Sequence, residues 1–471
     1  MNTSALNIPG DVLTQCPGVP FGVKTYYPHS HLPQCIPMTS WVLGAATGMF
    51  AVGGLLGAIL ASWLAARLGR RDSMILMNVT FFIGAILLSL STEPAQFAIG
   101  RIFVGLGSGF MTVVISMYIS EISPPKYRGA LGSCLQLFLT IGILIIELIG
   151  LGLSSAVGWR IVVIITVAPA IIQMICLPFC ARSPRWLISK NRIDEARVQL
   201  MRLRYGDVQE EFSDMILSLT KGGNDAKKNN GEPGEKDSFD NLPTDDSPIE
   251  SEKSLSLRQV FSIRVLAILT LKMMVVHMSS QLTGINAVMY YSTSIFTGAF
   301  GDRAKYVTIG SSILNVVMTI IALGLVDRLG RKILLVISAY GMTLWSILMT
   351  VGMVKNISGL QVVSIYFFIA AYAIGLGVIP FVINSEVFPT YAVSASSSMA
   401  LVINWLCNFI IGLIFPALLD ACGSYVFLIF TGISALCGTF ILIFIPETKQ
   451  KSIEQIGREL GWASIRLEDY I

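Results

Sequence analysis

Long apolar runs alternate with short polar stretches along most of this 471-residue chain. Most runs have about 20 residues or more, the length that a helix needs to cross about 30 Å of hydrocarbon. The pattern therefore predicts an all-α membrane protein. The eleven predicted transmembrane helices lie at about 41–66, 72–91, 96–118, 129–153, 159–181, 263–292, 306–325, 333–354, 361–385, 395–419 and 424–445.

One polar segment is much longer than the loops between the other runs. Residues 183–218 have a helical pattern of apolar and charged positions, whereas residues 221–255 are rich in Gly, Asn, Ser and charged residues and are predicted to be disordered. This linker separates five helices from six. The predicted organisation is an N-terminal segment 1–40, a first bundle 41–181, a linker 182–262, a second bundle 263–446 and a tail 447–471.

The composition narrows the class of function. The chain is 54% hydrophobic and only 13% charged, and its mean hydropathy is +0.70, whereas soluble domains carry about 25% charged residues. The lipid bilayer is thus a predicted partner, and a net charge of +4 does not indicate nucleic acid. We find no nucleophile–base pair and no metal-ligand cluster, so no enzyme activity, cofactor or metal is predicted.

Two short basic turns indicate an internal duplication. Leu68-Gly69-Arg70-Arg71 and Leu329-Gly330-Arg331-Lys332 each join two apolar runs, about 260 residues apart. Duplicated helical halves around a central site are typical of secondary transporters. The positive-inside rule makes the basic face cytosolic, which places the N-terminal segment outside the cytosol and the C-terminus inside.

Several motifs resemble the sugar-porter branch of the major facilitator superfamily, the family of facilitative glucose transporters and yeast hexose transporters. The resemblance extends from about residue 41 to 460. Its motifs include Tyr127-Arg128-Gly129-Ala130, Ser183-Pro184-Arg185, Gln281-Leu282-Thr283-Gly284-Ile285-Asn286, Asp327-Arg328-Leu329-Gly330-Arg331-Lys332 and Pro446-Glu447-Thr448-Lys449.

The resemblance implies the major facilitator fold, with two helical bundles and twelve helices as the family norm. Aligned on the motifs, the chain corresponds to a fungal-type member that lacks the first helix. The implied function is transport of a hexose such as glucose or fructose by alternating access, as a monomer in the plasma membrane or the vacuolar membrane. A sugar sensor and a truncated, inactive transporter are alternatives.

Amides within the apolar runs are the candidate sugar ligands. They offer donors and acceptors to a neutral ring of hydroxyls without adding a charge. The alternative is a helix–helix hydrogen bond, which we favour for Asn404, whereas the motif favours sugar for Gln281 and Asn286 if the helix is broken near Gly284. The sugar-facing set implied by the resemblance is Gln136, Ile143, Gln281, Asn286, Asn315, Phe381, Trp405 and Asn408.

Charged residues at the basic face form a second set. By resemblance they make salt bridges that hold the two bundles together when the transporter faces outward; the alternative is that the cations only fix orientation. Arg182, Ala66 and Val393 replace usual partners and predict a weaker contact. The gating set is Arg67, Arg70, Arg71, Glu121, Arg128, Arg185, Arg331, Glu386 and Glu447.

Two intramembrane ionisable residues and two cysteines complete the candidates. Glu147 has two open interpretations, a proton carrier in symport, which would make protons a second partner, and a protonated structural acid. His277 is expected to line the cavity or to bond a neighbour. Cys16 and Cys35 are predicted to form a disulfide in an oxidising compartment, with two free thiols as the alternative. N-glycosylation sequons begin at Asn2 and Asn356, both on the predicted non-cytosolic side.

Overall fold

The computed structural model describes residues 4–5, 7–16, 19–28, 31–124, 128–206, 208–220, 255, 257–449, 451 and 453–462. The predicted sequon at Asn2 and all but residue 255 of the segment predicted to be disordered lie outside these residues. The side chain of Arg128 is also outside the described part of the chain.

The first bundle follows the predicted apolar runs closely. Gly69 takes φ of 86° in the tight basic turn between its first two long helices, a conformation that glycine adopts readily. Thr166 and Val167 interrupt the helix predicted at 159–181, and the apolar pattern did not predict this interruption. The helices are α1 Gly10–Thr14, α2 Ser40–Leu68, α3 Arg70–Ser89, α4 Pro94–Ile122, α5 Arg128–Gly152, α6 Gly158–Ile165 and α7 Ala168–Cys176.

The first three short helices of the linker pack on the basic end of the first bundle, whereas the fourth packs on the second bundle through Val260. The first three bury an apolar cluster that includes Trp186, Leu200 and Phe212. The Trp186 indole donates from Nε1 to the carbonyl oxygen of Ala66 at 3.1 Å, and its ring covers Gly69. The linker helices are α8 Pro184–Ser189, α9 Ile193–Leu203, α10 Gln209–Thr220 and α11 Leu257–Ser262.

The second bundle contains two broken helices, one of them at Gly284, where Gln281 and Asn286 can share a cavity only if the helix is broken. Gly284 has φ of 96° and separates α12 from α13, and residues 375–378 separate α16 from α17. The helices are α12 Arg264–Leu282, α13 Ile285–Phe300, α14 Ala304–Leu329, α15 Arg331–Val354, α16 Ser358–Ile374, α17 Ile379–Val387, α18 Thr390–Cys422, α19 Val426–Phe444 and α20 Ile453–Leu460.

Ten stretches of the described chain are long and apolar enough to cross a membrane. The last, Tyr391–Phe444, contains both α18 and α19, so the described chain accounts for the eleven crossings that the sequence predicts. The fold is therefore an all-α membrane protein with two helical bundles.

The two bundles touch mainly through the halves of their helices that lie far from the basic turns. We call the side with Gly69 and Gly330 the basic face and the other side the opposite face. Near the opposite face α2 lies directly on α18, and a Cβ built at Gly44 would lie 2.2 Å from the Leu413 carbonyl oxygen. Nearby, Lys305 of α14 donates from Nζ to Ser154 Oγ at 2.9 Å.

The N-terminal segment is packed into the molecule rather than lying on it. Ala5, Ile8 and Leu13 are buried, and the side-chain amide of Asn7 donates to the Met289 carbonyl and to Ser292 Oγ of α13, at 3.1 and 2.9 Å. A disulfide joins Cys16 and Cys35 at the opposite face. The segment therefore fills the space between α5 and α13.

Candidate substrate-binding cavity

A cavity of about 960 Å³ lies between the bundles, on the basic side of their packed halves. Helices α2–α5 and α7 line it from the first bundle, and α12, α13, the α16–α17 region and α18 from the second. Ligand pockets are commonly about 300–1,000 Å³, so the cavity can hold a small solute with water.

Amides from three helices meet on the wall that the second bundle contributes. Gln281 donates from Nε2 to Asn404 Oδ1 at 3.3 Å, and it accepts at Oε1 from Asn286 Nδ2. The break at Gly284 brings Gln281 and Asn286 to one place, because five residues of continuous helix would turn them apart. Asn404 also donates to Ser280 Oγ at 3.1 Å. These amides can exchange their mutual bonds for bonds to a polar solute.

Aromatic residues flank the amides. Tyr290 donates its hydroxyl to Asn408 Oδ1 at 2.8 Å, and both residues line the cavity. The Trp405 ring meets Phe50 edge-on at a centroid distance of 6.0 Å, which places it at the junction of the two bundles. Phe381 is 43% exposed at the cavity wall. A ring-shaped solute can pack its apolar face on these walls while its hydroxyls reach the amides.

The first bundle contributes its own polar wall. Gln136, Asn78 and Gln173 line the cavity together with the hydroxyls of Ser108 and Thr112. Neither polar atom of the Asn78 amide has a hydrogen-bond partner in the described structure. Of these three amides the sequence assigns only Gln136 to the sugar, and it does so through the family resemblance. Such an unpartnered amide beside the cavity is a signal that only the structure gives.

The lining carries no formal charge. None of the described residues around the cavity is Asp, Glu, Lys, Arg or His, and no group of three metal-ligating side chains occurs in the described part of the chain. The cavity can therefore bind a neutral, hydrogen-bonding solute, whereas an ion would lose hydration without gaining a counter-charge.

Seven of the eight predicted sugar-facing residues line this cavity. The exception is Asn315, which is buried at 5% exposure on α14 away from the lining. Residues that the sequence did not assign to the site include Tyr290, Tyr372 and Asn404. Asn404 both packs helices together, as expected, and lines the cavity.

The predicted gating residues form ion pairs inside each bundle. Arg70 pairs with Glu121 at 2.7 Å in the first bundle, and Arg331 pairs with Glu386 at 2.8 Å in the second. Glu447 accepts backbone hydrogen bonds from Arg331 and Lys332 at 2.9 and 3.1 Å. No ion pair joins the two bundles among the residues that the structure describes.

The remaining charged candidates differ in their surroundings. Arg182, which replaces a usual partner in the family pattern, pairs with Asp72 at 2.9 Å. Arg71 also pairs with Asp72, at 2.8 Å. Arg67 lies 4.3 Å from the centroid of the Trp63 ring, and Arg185 is exposed. The described charged residues at the basic face thus make their contacts locally and not across the junction of the two bundles.

The two intramembrane ionisable residues lie outside the cavity. His277 is fully buried, with Nε2 3.1 Å from Asn384 Nδ2 and its ring edge-on to Phe381, so it bonds a neighbour, the second of the expected roles. Glu147 is 1% exposed and meets Asn7 and Ser312.

Comparisons with known proteins agree with this geometry. A family model described as "Sugar (and other) transporter" matches residues 19–460. Facilitated glucose transporter member 4 of Mus musculus is 35% identical over 438 residues, covering 90% of this chain and 80% of the relative. Member 3 of Homo sapiens is 32% identical over 469 residues, covering 97% and 88%.

Solved structures have the same fold. The partially occluded inward-open structure of the xylose transporter XylE from E. coli superposes with a TM-score of 0.73 at 22% identity. The match covers 96% of this chain and 95% of XylE. At that identity the likeness concerns the fold.

Proposed function

Because this chain belongs to the sugar transporter family of the major facilitator superfamily, we propose that it carries a monosaccharide across its membrane by alternating access. The observation that carries the proposal is the uncharged, amide-rich cavity between two bundles. A sugar is neutral and bears hydroxyls around an apolar ring, which suits amide ligands and aromatic walls. The relatives named glucose transporters support a hexose such as glucose or fructose as the cargo.

The cavity lining supports a specific set of sugar ligands. Gln281, Asn286 and Asn408 bind the sugar hydroxyls from the second bundle, and Gln136 binds from the first. Trp405, Phe381 and Ile143 form the apolar walls. Asn404 positions Gln281 through their hydrogen bond.

The packing of the two bundles supports a rocking mechanism. They are in close contact near the opposite face, where Gly44 lies against α18, and the cavity lies toward the basic face. Transport requires a second state in which the opposite halves separate and the basic halves meet. In that state the arginines and glutamates that now pair within each bundle exchange partners across the junction.

Two features support the orientation. The basic turns belong on the cytosolic side by the positive-inside rule. The Cys16–Cys35 disulfide lies on the opposite face, which suits an oxidising compartment. The N-terminal segment is then non-cytosolic and the C-terminus cytosolic, in the plasma membrane or the vacuolar membrane, and one chain acting as a monomer holds the whole cavity.

Uptake into proteoliposomes tests the proposal. The purified chain is expected to take up labelled D-glucose or D-fructose in a saturable manner, and excess unlabelled sugar inside the vesicles should accelerate entry of the label. Protein-free vesicles provide the control. Binding without uptake would reject transport in favour of a sensor or an inactive chain, and neither binding nor uptake of either hexose would reject the hexose assignment.

A further inference from the structure

A buried carboxyl group sits where three parts of the molecule meet. Glu147 lies in the half of α5 near the opposite face and is 1% exposed. The side-chain amide of Asn7 donates to Glu147 Oε1 at 3.2 Å, and the Ser312 hydroxyl of α14 donates to Oε2. The carboxyl group therefore joins the first bundle, the second bundle and the N-terminal segment.

Its described surroundings carry no neutralising charge. Toward the N-terminal segment it faces Asn7, and toward α14 it faces Ser312, while Ala5, Ile146 and Val162 form an apolar cluster beside it. Among the described side chains at this junction, the cation is Lys305, which bonds Ser154 beyond the end of α5. Lys305 precedes Ser312 by seven residues of α14, about 10 Å along the helix axis at 1.5 Å per residue.

The free energy of burial favours the uncharged acid here. An ionised carboxylate removed from water without a cation loses several kcal/mol of hydration energy even after relaxation. The neutral acid keeps both contacts, because one oxygen still accepts from Asn7 and the acid O–H can donate to Ser312 Oγ. The packed junction therefore suits the protonated form.

We propose that Glu147 is a proton-binding site whose occupancy controls the contact between the bundles at the opposite face. It holds a proton while the opposite halves are packed. It releases that proton to water on that side when the halves separate, and takes one up again when they close. This inference rests on the proposed function, because only an alternating-access protein opens this junction.

The same site is connected to the sugar cavity. Asn7 also donates to the carbonyl of Met289, and its own Oδ1 accepts from the backbone N–H of Thr293 at 3.3 Å. Met289 and Tyr290 line the cavity on the same helix. A change at Glu147 therefore acts on α13, and sugar binding and proton binding are expected to influence each other.

The direction of the pH effect follows because the packed junction suits the protonated form of Glu147. High pH removes the proton and favours separation of the opposite halves, whereas low pH favours the packed state. Hydrogen–deuterium exchange of the full chain in nanodiscs measures this separation directly and needs no sugar. Backbone amides in residues 148–152 and 304–310 are the reporters.

After correction for the intrinsic rate, we expect these amides to exchange about threefold or more faster at pH 8 than at pH 5. Glu147→Gln mimics the neutral acid and should exchange slowly at both pH values. The matched control is Glu93→Gln, which neutralises an exposed acid on the same face and should behave like the unmodified protein. Ser312→Ala keeps the acid, should retain the pH dependence, and provides a second variant if Glu147→Gln does not fold.

Equal exchange at the two pH values in the unmodified protein would overturn the proposal. So would an unchanged pH ratio in a folded Glu147→Gln variant, or loss of the ratio in Ser312→Ala. The proposed function is judged separately by sugar uptake. A pH-dependent junction without uptake would reject transport and support the proton site, whereas uptake with a pH-independent junction would support transport and reject the proton site.

Discussion

At the scale of single residues, amides that bond one another prepare the cavity for a neutral ligand. Gln281, Asn286 and Asn404 form a chain of hydrogen bonds across the broken helix and α18. Each amide is satisfied without a ligand, which lowers the free energy of holding polar groups in an apolar bundle. A sugar hydroxyl can replace one of these bonds at little net cost.

We expect Gln281→Ala to weaken D-glucose binding by about 0.5–1.5 kcal/mol, because one neutral hydrogen bond is lost, and by more if Asn286 is left without a partner. Calorimetry on purified protein measures the change. The matched control is Asn315→Ala, which removes a buried amide of the same bundle that does not line the cavity. Unchanged affinity in Gln281→Ala would remove Gln281 from the site, and equal loss in both variants would indicate a general structural effect.

A motif predicts local geometry better than an isolated amide does. The sequence predicts that Gln281 and Asn286 reach one cavity if the helix is broken near Gly284, and the structure has that break. Asn78 and Gln173 were not assigned, because their side-chain directions depend on packing between helices distant in sequence. Asn315 was assigned to the sugar and does not line the cavity, for the same reason.

At the scale of elements, glycines determine both where helices break and where they touch. Gly284 supplies the left-handed conformation between α12 and α13, and the Phe430 ring covers the position of a Cβ. Glycines of α2 allow the backbone of α18 to approach closely. The apolar pattern predicted the helices, but it did not reveal the break in α6–α7 or the burial of the N-terminal segment, whose partners lie far away in sequence.

Gly284→Ala is expected to destabilise the protein by about 1–3 kcal/mol, since an L-residue is strained at this φ and its Cβ would lie 2.7 Å from the Phe430 ring. Thermal unfolding followed by fluorescence measures the loss. Gly423→Ala, with φ of 50° and open space around its Cβ, is the control and should lose less. Equal losses would show that Phe430 packing has no part in the effect.

Gly44→Leu is expected to lower hexose uptake by about tenfold or more while hexose binding persists, because its side chain would collide with the Leu413 backbone and keep the opposite halves apart. Parallel uptake and binding measurements separate the two effects. Gly324→Leu adds the same side chain to a helix position with nothing within 4 Å and should transport normally. Normal uptake by Gly44→Leu would contradict the rocking mechanism.

At the scale of the whole molecule, the N-terminal segment connects the two bundles on the opposite face. The indole of Trp159 donates to the Gln34 carbonyl at 3.0 Å, and Arg160 donates to the Pro33 and Ser91 carbonyls at 2.7 and 2.9 Å. Through Asn7 the segment also reaches α13. The sequence predicted the Cys16–Cys35 pair, but a proline-rich polar segment gave no sign that it would be buried.

Breaking the disulfide should loosen this segment. Its two cysteines are 19 residues apart, and closing a loop of about 15 residues stabilises a fold by about 3 kcal/mol. We expect reductant to lower the unfolding temperature of the unmodified protein. A Cys16→Ala/Cys35→Ala variant should start at the lower temperature and show no response to reductant; a response of the same size would place the sensitive thiols elsewhere.

The central claim is that an uncharged cavity between two bundles binds a neutral sugar. Equilibrium binding of D-glucose, D-glucuronate and D-glucosamine to the purified chain at pH 6 tests it most directly, because all three are ring sugars of similar size and only the latter two are charged at this pH. We predict that the anion and the cation bind at least about tenfold more weakly than D-glucose, a difference of about 1.4 kcal/mol or more. Equal or tighter binding of either charged analogue would contradict the claim.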